Sequence, residues 1–211
     1  MATTDDVRRR VLDASVALVA EHGVRAVSFR EVARRAGVSH QAPYHHFGNH
    51  HGILRAIAQE GFASLTAAMA DAAAAAAEPR AGLVAAGLAY VAFARDHVGH
   101  FRVMFQDAAT TDRADTPLPE AEGTYKTLVT LATAAHRAGS GANLSIDALS
   151  HLAWSTVHGL AFLLIEGMMR DKRGTSDEAI ARQVVTALGA LLAPSRAAER
   201  RGRAPRRATR P

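Results

Sequence analysis

Apolar residues recur along the chain at i, i+3 and i+4, and no segment sustains the alternation of a half-buried strand. That period predicts an all-α protein of about nine helices. The first helix is expected over about Asp5–Glu21, with Thr4 as its cap and Asp5 and Asp6 in the first turn. Val7, Val11, Leu12, Ser15, Leu18 and Val19 form its inner stripe, and His22-Gly23 stops it. The second helix has the clearest start. Ser28 and Glu31 have the spacing of a capping box, and Val27 and Val32 that of a hydrophobic staple. It reads FREVARRA and ends at Gly37. Ser39 is then expected to cap a short helix within His40–Phe47, and Pro43 to make its start irregular by biasing Ala42 away from helical geometry. Asn49 caps a long fourth helix carrying Ile53, Leu54, Ile57, Phe62, Leu65 and Met69, which ends near Glu78-Pro79.

From Arg80 onward the helices become longer and more apolar. They are expected near Arg80–His97, Gly99–Gln106, Glu120–Ala138, Ile146–Met169 and Ser176–Ala193, with residues 107–119 as an exposed loop. The helix from Ile146 is apolar on more than one side, and the last helix is wider than a single stripe. Such surplus belongs either to a subunit interface or to a helix deep in a core. The interface reading takes Leu149, Leu152, Leu160, Leu163, Val184, Leu188 and Leu191, with Gly159 and Gly189 allowing close helix approach.

Composition and charge narrow the class. The chain has 211 residues, 48% of them hydrophobic, which is enough to bury a core. It has no cysteine, so disulfides and thiolate metal sites are excluded and nothing argues for secretion. No run approaches the roughly 20 consecutive apolar residues of a membrane span, so no membrane partner and a cytoplasmic location are expected. Residues 194–211 hold seven Arg and one Glu, or +6 of the whole chain's +5, which leaves −1 for the rest. The high pI therefore belongs to a tail poor in large apolar residues. Such a tail is expected to be a solvated, disordered end or a non-specific phosphate-binding arm.

The stretch GVSHQAPYHHFGNHHG, residues 37–52, holds five of the eleven histidines. A metal site, a DNA-reading element and an irregular loop compete for it. The metal reading is weak, because Gly48 and Asn49 break the helix between His45-His46 and His50-His51 and no carboxylate lies within the cluster. Residues 28–47, by contrast, have the layout of a helix-turn-helix. Two short helices flank a tight turn at Gly37, and the second is of the kind that enters the DNA major groove.

SFREVARRAGVSHQAPYHHFGNHHGILRAIA, residues 28–58, resembles the DNA-binding segment of the tetracycline-repressor (TetR) family of bacterial regulators. Val32-Ala33, Ala36-Gly37-Val38-Ser39, Tyr44, His46, Phe47 and Leu54 match the family pattern as they stand. Residues 90–105 and WSTVHGLAFL, residues 154–163, are similar to a subgroup with a Trp-x-x-x-His-Gly signature in its ligand domain. The resemblance implies a DNA-binding domain over residues 1–48, a ligand-binding and dimerisation domain over residues 49–193, and the basic tail. It implies phosphate contacts from Ser28, Tyr44 and His45, and base contacts from His40, Gln41 and Ala42, with Ser39 at the turn. Gln pairs well with adenine, and a small Ala side chain suits a thymine methyl. His50 stands where the family usually has a phosphate-binding lysine. A neutral imidazole is the weaker anchor, so DNA affinity is expected to rise as pH falls through histidine's ordinary range, near ~6.5.

The resemblance also implies one effector cavity per subunit, with Tyr90, Phe93, Phe101, Met104, Phe105, Tyr125, Trp154, His158 and Phe162 as candidate lining. Each of these reads equally well as core. No cofactor is implied. The expected function is that of a homodimeric repressor that binds a palindromic operator and is released by a small apolar or amphipathic molecule. Two alternatives remain. One is an architectural DNA-binding protein without ligand control. The other is a helical-bundle enzyme using Asp96, His97 or His158, although the chain has no nucleophile motif or phosphate loop.

Overall fold

A computed structural model describes residues 3–106, 118–169 and 174–193. Residues 107–117 of the loop expected at 107–119, the segment 170–173 and the tail 194–211 lie outside the described residues; at the loop's other end Leu118 is buried, not exposed, and Pro119 already begins a helix. The described residues form nine α-helices: α1 (Thr4–His22), α2 (Phe29–Ala36), α3 (Ala42–Phe47), α4 (His50–Ala74), α5 (Pro79–Asp96), α6 (Val98–Met104), α7 (Pro119–Arg137), α8 (Ile146–Ile165) and α9 (Asp177–Leu191). A 3₁₀ turn at Val24–Ala26 joins α1 to α2.

Helix ends follow local chemistry, but several depart from expectation: α4 ends at Ala74, short of Glu78-Pro79, and α8 at Ile165, short of Met169. Thr3, not Thr4, caps α1, its Oγ1 accepting from the Asp6 N–H at 3.2 Å. Either threonine suits the role, and the chain enters the helix one residue early. Ser39 does not cap α3. The peptide from Ser39 closes a tight turn in which the Ala42 N–H donates to the Ser39 carbonyl, and Gln41 occupies the cap position without a side-chain bond. Pro43 then sits in the first turn, where a missing N–H costs little. The caps at Ser28, Asn49, Ser145 and Ser176 each accept from the N–H three residues on. At Ser28 only half the box is used for capping, because Arg34 binds the Glu31 carboxylate.

Helix α5 is the central strut, packed on α4, α6, α7, α8 and α9. One continuous apolar cluster runs from Val11 and Leu12 of α1 through Ile53, Ile57 and Leu65 of α4 to Val185 of α9. A small second cluster joins Ala132, Leu149 and Leu192. Helix α8 alone among the described helices is long and apolar enough to cross a membrane, with a mean hydropathy of 1.4. Its inner face nevertheless packs on α5 and α7.

That inner face corrects part of the interface expectation. Leu149 and Leu160 are buried inside the protomer, and Val184 and Leu188 are partly buried against its core. Leu163 is half-buried, while Leu152 and Leu191 are exposed. Gly189 does permit a close approach, but within the protomer: a Cβ there would meet Val84 of α5 at 2.4 Å. Gly159 has open space before it.

Candidate DNA-binding surface and effector cavity

The helix-turn-helix is held from below by α1. Gly37 takes the left-handed conformation (φ 62°, ψ 41°) that ends α2 and starts the turn. Arg10 of α1 donates to the carbonyls of Ala36 and Gly37. Arg35 of α2 forks onto Glu21 of α1 with bonds of 2.8 and 2.6 Å. Arg8 lies 5.2 Å over the Phe47 ring at the far end of α3. The Tyr44 ring stands edge-on to buried Phe29 at 4.6 Å, fixing α3 against α2, yet 55% of Tyr44 remains exposed.

This scaffold leaves Ser28, Ser39, His40, Gln41, Tyr44, His45 and His50 exposed, with Ala42 half-buried. They gather around α3 and the N-termini of α2 and α4, where free N–H groups favour phosphate. Exposed Arg25 and Arg30 add positive charge nearby. Among the described residues no group of three or more His, Asp or Glu side chains is arranged to hold a metal.

The larger half encloses a cavity of about 370 Å³ between α4, α5, α6, α7, α8 and α9. Tyr90, Met104, Phe105, Tyr125 and Trp154 line it, as expected from the sequence. The other four candidates do not. Phe93 is buried elsewhere, stacked on His97 at 4.7 Å. Phe101 stands behind the wall, in ring contact with Tyr90, Phe105 and His158. Phe162 is 51% exposed on the outer face of α8, so its assignment to the cavity is corrected. His158 also backs the wall. Its Nδ1 lies 2.9 Å from the Tyr90 hydroxyl and its ring 4.5 Å from Phe105. Burial lowers the His158 pKa and raises that of Tyr90, so both are neutral near pH 7.

Sequence reading missed several lining residues, chiefly Arg80, Leu83, Gly87, Thr124, Ser140 and Val185. Arg80 carries a usable signal: it is a basic residue in a first helical turn, where the macrodipole favours acids.

Helix α6 connects the two regions. Its Met104, with Phe105 just beyond, touches the cavity. Its Gly99 lies so near α1 that an added Cβ would be 2.3 Å from the Val16 carbonyl oxygen. Arg102 of α6 donates to the Ala20 carbonyl of α1 at 3.1 Å and pairs with Glu166 at 3.0 Å. His100 of α6 meets Glu60 of α4 at 3.1 Å, and Glu60 also binds Arg9 of α1. Desolvation lowers the His100 pKa, and the Arg9 guanidinium holds Glu60 below its ordinary value. Asp96, His97 and His100 therefore form no acid–base pair: His97 stacks on Phe93 and His100 serves the α4–α6 joint.

No curated protein sequence matches the chain. Among solved structures, a protein of unknown function from Rhodococcus sp. RHA1 is 28% identical, with a TM-score of 0.73, over 88% of this chain and 95% of that one. The TetR family transcriptional regulator PfmR from Thermus thermophilus is 20% identical, with a TM-score of 0.69, over 85% and 96%. FadR from Bacillus subtilis, a transcriptional regulator solved in complex with stearoyl-CoA, is 17% identical, with a TM-score of 0.65, over 85% and 96%. The family profile described as "Bacterial regulatory proteins, tetR family" matches residues 11–57. The profile described as "Tetracyclin repressor-like, C-terminal domain" matches residues 83–188, about half of the chain. With a DNA-reading half and a cavity-bearing half both matched, the chain belongs to the TetR family of transcriptional regulators, which are not enzymes.

Proposed function

We propose that this regulator is a cytoplasmic, homodimeric repressor that binds a palindromic operator and releases it when a small apolar or amphipathic molecule fills the cavity. The observation that carries this reading is the position of α6, which touches the cavity at Met104 and α1 at Gly99. Residues 1–48 serve as the reading head, with Gln41 and Ala42 on base edges, His40 beside them, and Ser28, Tyr44, His45 and His50 on the backbone. A ligand that favours a different seat for α6 favours a different spacing of the two heads. Ligand and operator then weaken each other reciprocally, typically by about 5- to 150-fold.

The outer face of α8 supports the dimer. Ala148, Leu152, Ser155, Gly159, Phe162 and Glu166 recur there at alternating steps of four and three, the spacing of a packed helix seam. Exposed Leu191 extends the apolar surface onto α9. We also place the chain in the subgroup with the Trp-x-x-x-His-Gly signature, because Trp154 lines the cavity and His158 braces its wall.

The test is selection from random DNA with the full chain. The expected product is a two-fold repeat with half-sites about one helical turn or more apart. Gln41→Ala should relax one base pair in each half-site, at a cost of about 1–3 kcal/mol. Enrichment of no repeat would leave a non-specific DNA binder and refute the proposal.

A further inference from the structure

The cavity is apolar over most of its wall. Six polar side chains reach it: Arg80, Tyr90, Thr124, Tyr125, Ser140 and Trp154. Three hydroxyls among them are already engaged. Tyr90 bonds to His158 at 2.9 Å, Thr124 to Thr66 at 2.7 Å, and Tyr125 reaches His151 at 3.4 Å. Arg80 differs from these. It is half-buried at the wall, and among the described residues no carboxylate forms an ion pair with it. The other walls are aliphatic and aromatic.

The position of Arg80 gives the cavity a direction. Helices α5 and α9 run antiparallel, with Val84 against Gly189 and Gly87 against Val185. Arg80 is one turn before Val84, and so stands near the level of Leu192. The Leu192 carbonyl accepts from the Gly141 N–H, beside buried Ser140. Tyr90, ten residues along α5, marks the other end, about 15 Å away at helical rise. One end thus holds a guanidinium with no ion-pair partner among the described residues and a hydroxyl in its neighbourhood. The other ends in rings whose polar tips are satisfied inside the protein.

We propose that the effector is an apolar molecule with one terminal carboxylate, which pairs with Arg80 while its body lies along α5 toward Tyr90 and Phe105. A guanidinium is always charged and suits a carboxylate through two parallel bonds. An uncharged ligand of the same body leaves that cation at an apolar wall without a partner. At roughly 30 Å³ per non-hydrogen atom, water's share of liquid volume, 370 Å³ holds about a dozen such atoms. A straight-chain acid of about ten carbons fits that count. This assignment rests on the cavity being the effector site.

The chain supplies its own reporter, since Trp154 is its only tryptophan and lines the cavity. Decanoate, decanol and decanoyl-CoA are titrated against full-length protein, followed by tryptophan fluorescence, for the parent chain and for Arg80→Gln. Arg80 is partly solvent-exposed, and unchanged thermal unfolding would show that Arg80→Gln is folded. The expected result is that decanoate binds about 10- to 100-fold more tightly than decanol to the parent, and that Arg80→Gln abolishes the difference. Equal binding of acid and alcohol, a preference that survives Arg80→Gln, binding of decanoyl-CoA alone, or no binding of decanoate would each overturn the assignment. Operator release is measured in parallel. Decanol that binds as well as the acid and releases DNA would sink the carboxylate but keep effector control. Decanoate that binds through Arg80 and leaves DNA binding untouched would do the reverse.

Discussion

Replacing Gly99 with alanine probes the joint between cavity and DNA-binding half with one methyl group. The new Cβ would lie 2.3 Å from the Val16 carbonyl oxygen and 2.9 Å from its Cγ1. Ordinary contact begins at 3.4 Å, so α6 and α1 must separate by about 1 Å. The oxygen belongs to a helix backbone and cannot swing aside. Separation also stretches the Arg102 bond to the Ala20 carbonyl and pulls His100 against Glu60. Overpacking of this kind costs about 1–3 kcal/mol, against a smaller gain from alanine's helix preference. For a chain of this length, thermal unfolding should fall by about 2–8 °C. The assay is circular dichroism at 222 nm at one fixed protein concentration, because the transition of the proposed dimer would depend on concentration. Gly123→Ala in α7 is the control. It has nothing within 4 Å and should hold or raise the transition. Operator affinity of Gly99→Ala should change in the absence of any effector. A transition within 1 °C of the parent, with operator affinity unaltered, would refute the claim that α6 is tightly keyed to α1 (about 1 °C is the scale of a few tenths of a kcal/mol).

Three further outcomes are expected. Gly159→Leu places a side chain on the open face of α8 and should shift dimer to monomer in analytical ultracentrifugation, while leaving protomer helicity intact; an unshifted dimer would locate the interface elsewhere. His100 and His158 have pKa values lowered by burial, so their contribution to stability is present above the ordinary value of 6.5 and is lost as pH falls below it. Unfolding temperature should therefore decline from pH 7.5 to 5.5, and His158→Gln should flatten the slope; an equal slope in the variant would remove His158 from the account. His50→Lys should strengthen operator binding and steepen its log–log salt dependence by about 1.8, about 0.9 for each protomer of the proposed dimer, which a salt titration by fluorescence anisotropy measures.

The reading head is legible in sequence because its signals are local. A cap at Ser28, a left-handed glycine at Gly37 and a cap at Asn49 each act within four residues of chain. Ser39 misleads because Pro43 delays the helix, and a good capping side chain cannot overrule that. The cavity is legible only in its aromatics. Tyr90 and Trp154 announce themselves by size, whereas Ser140 and Thr124 become lining only when helices remote in sequence meet. Helix α8 shows the limit of periodicity. It has one apolar face turned to the core and another turned outward, and the repeat does not label which is which. Sequence alone therefore puts Leu149 and Leu160 at the surface and Phe162 in the interior, each the wrong way round.

The apolar cluster that runs unbroken from Val11 to Val185 bears on how such proteins can be rebuilt. One way to rebuild such a protein would be to exchange the DNA-binding part alone, with a cut near the proposed boundary at residue 48. In this chain the cut would pass through shared packing, because α1 is seated on α6 as firmly as on its own neighbours. A transplanted head must therefore bring a valine-like shoulder opposite Gly99 and a carbonyl for Arg102, or the proposed link from cavity to DNA-binding surface is lost. The unit of exchange is the head together with the face of α6 that it rests on.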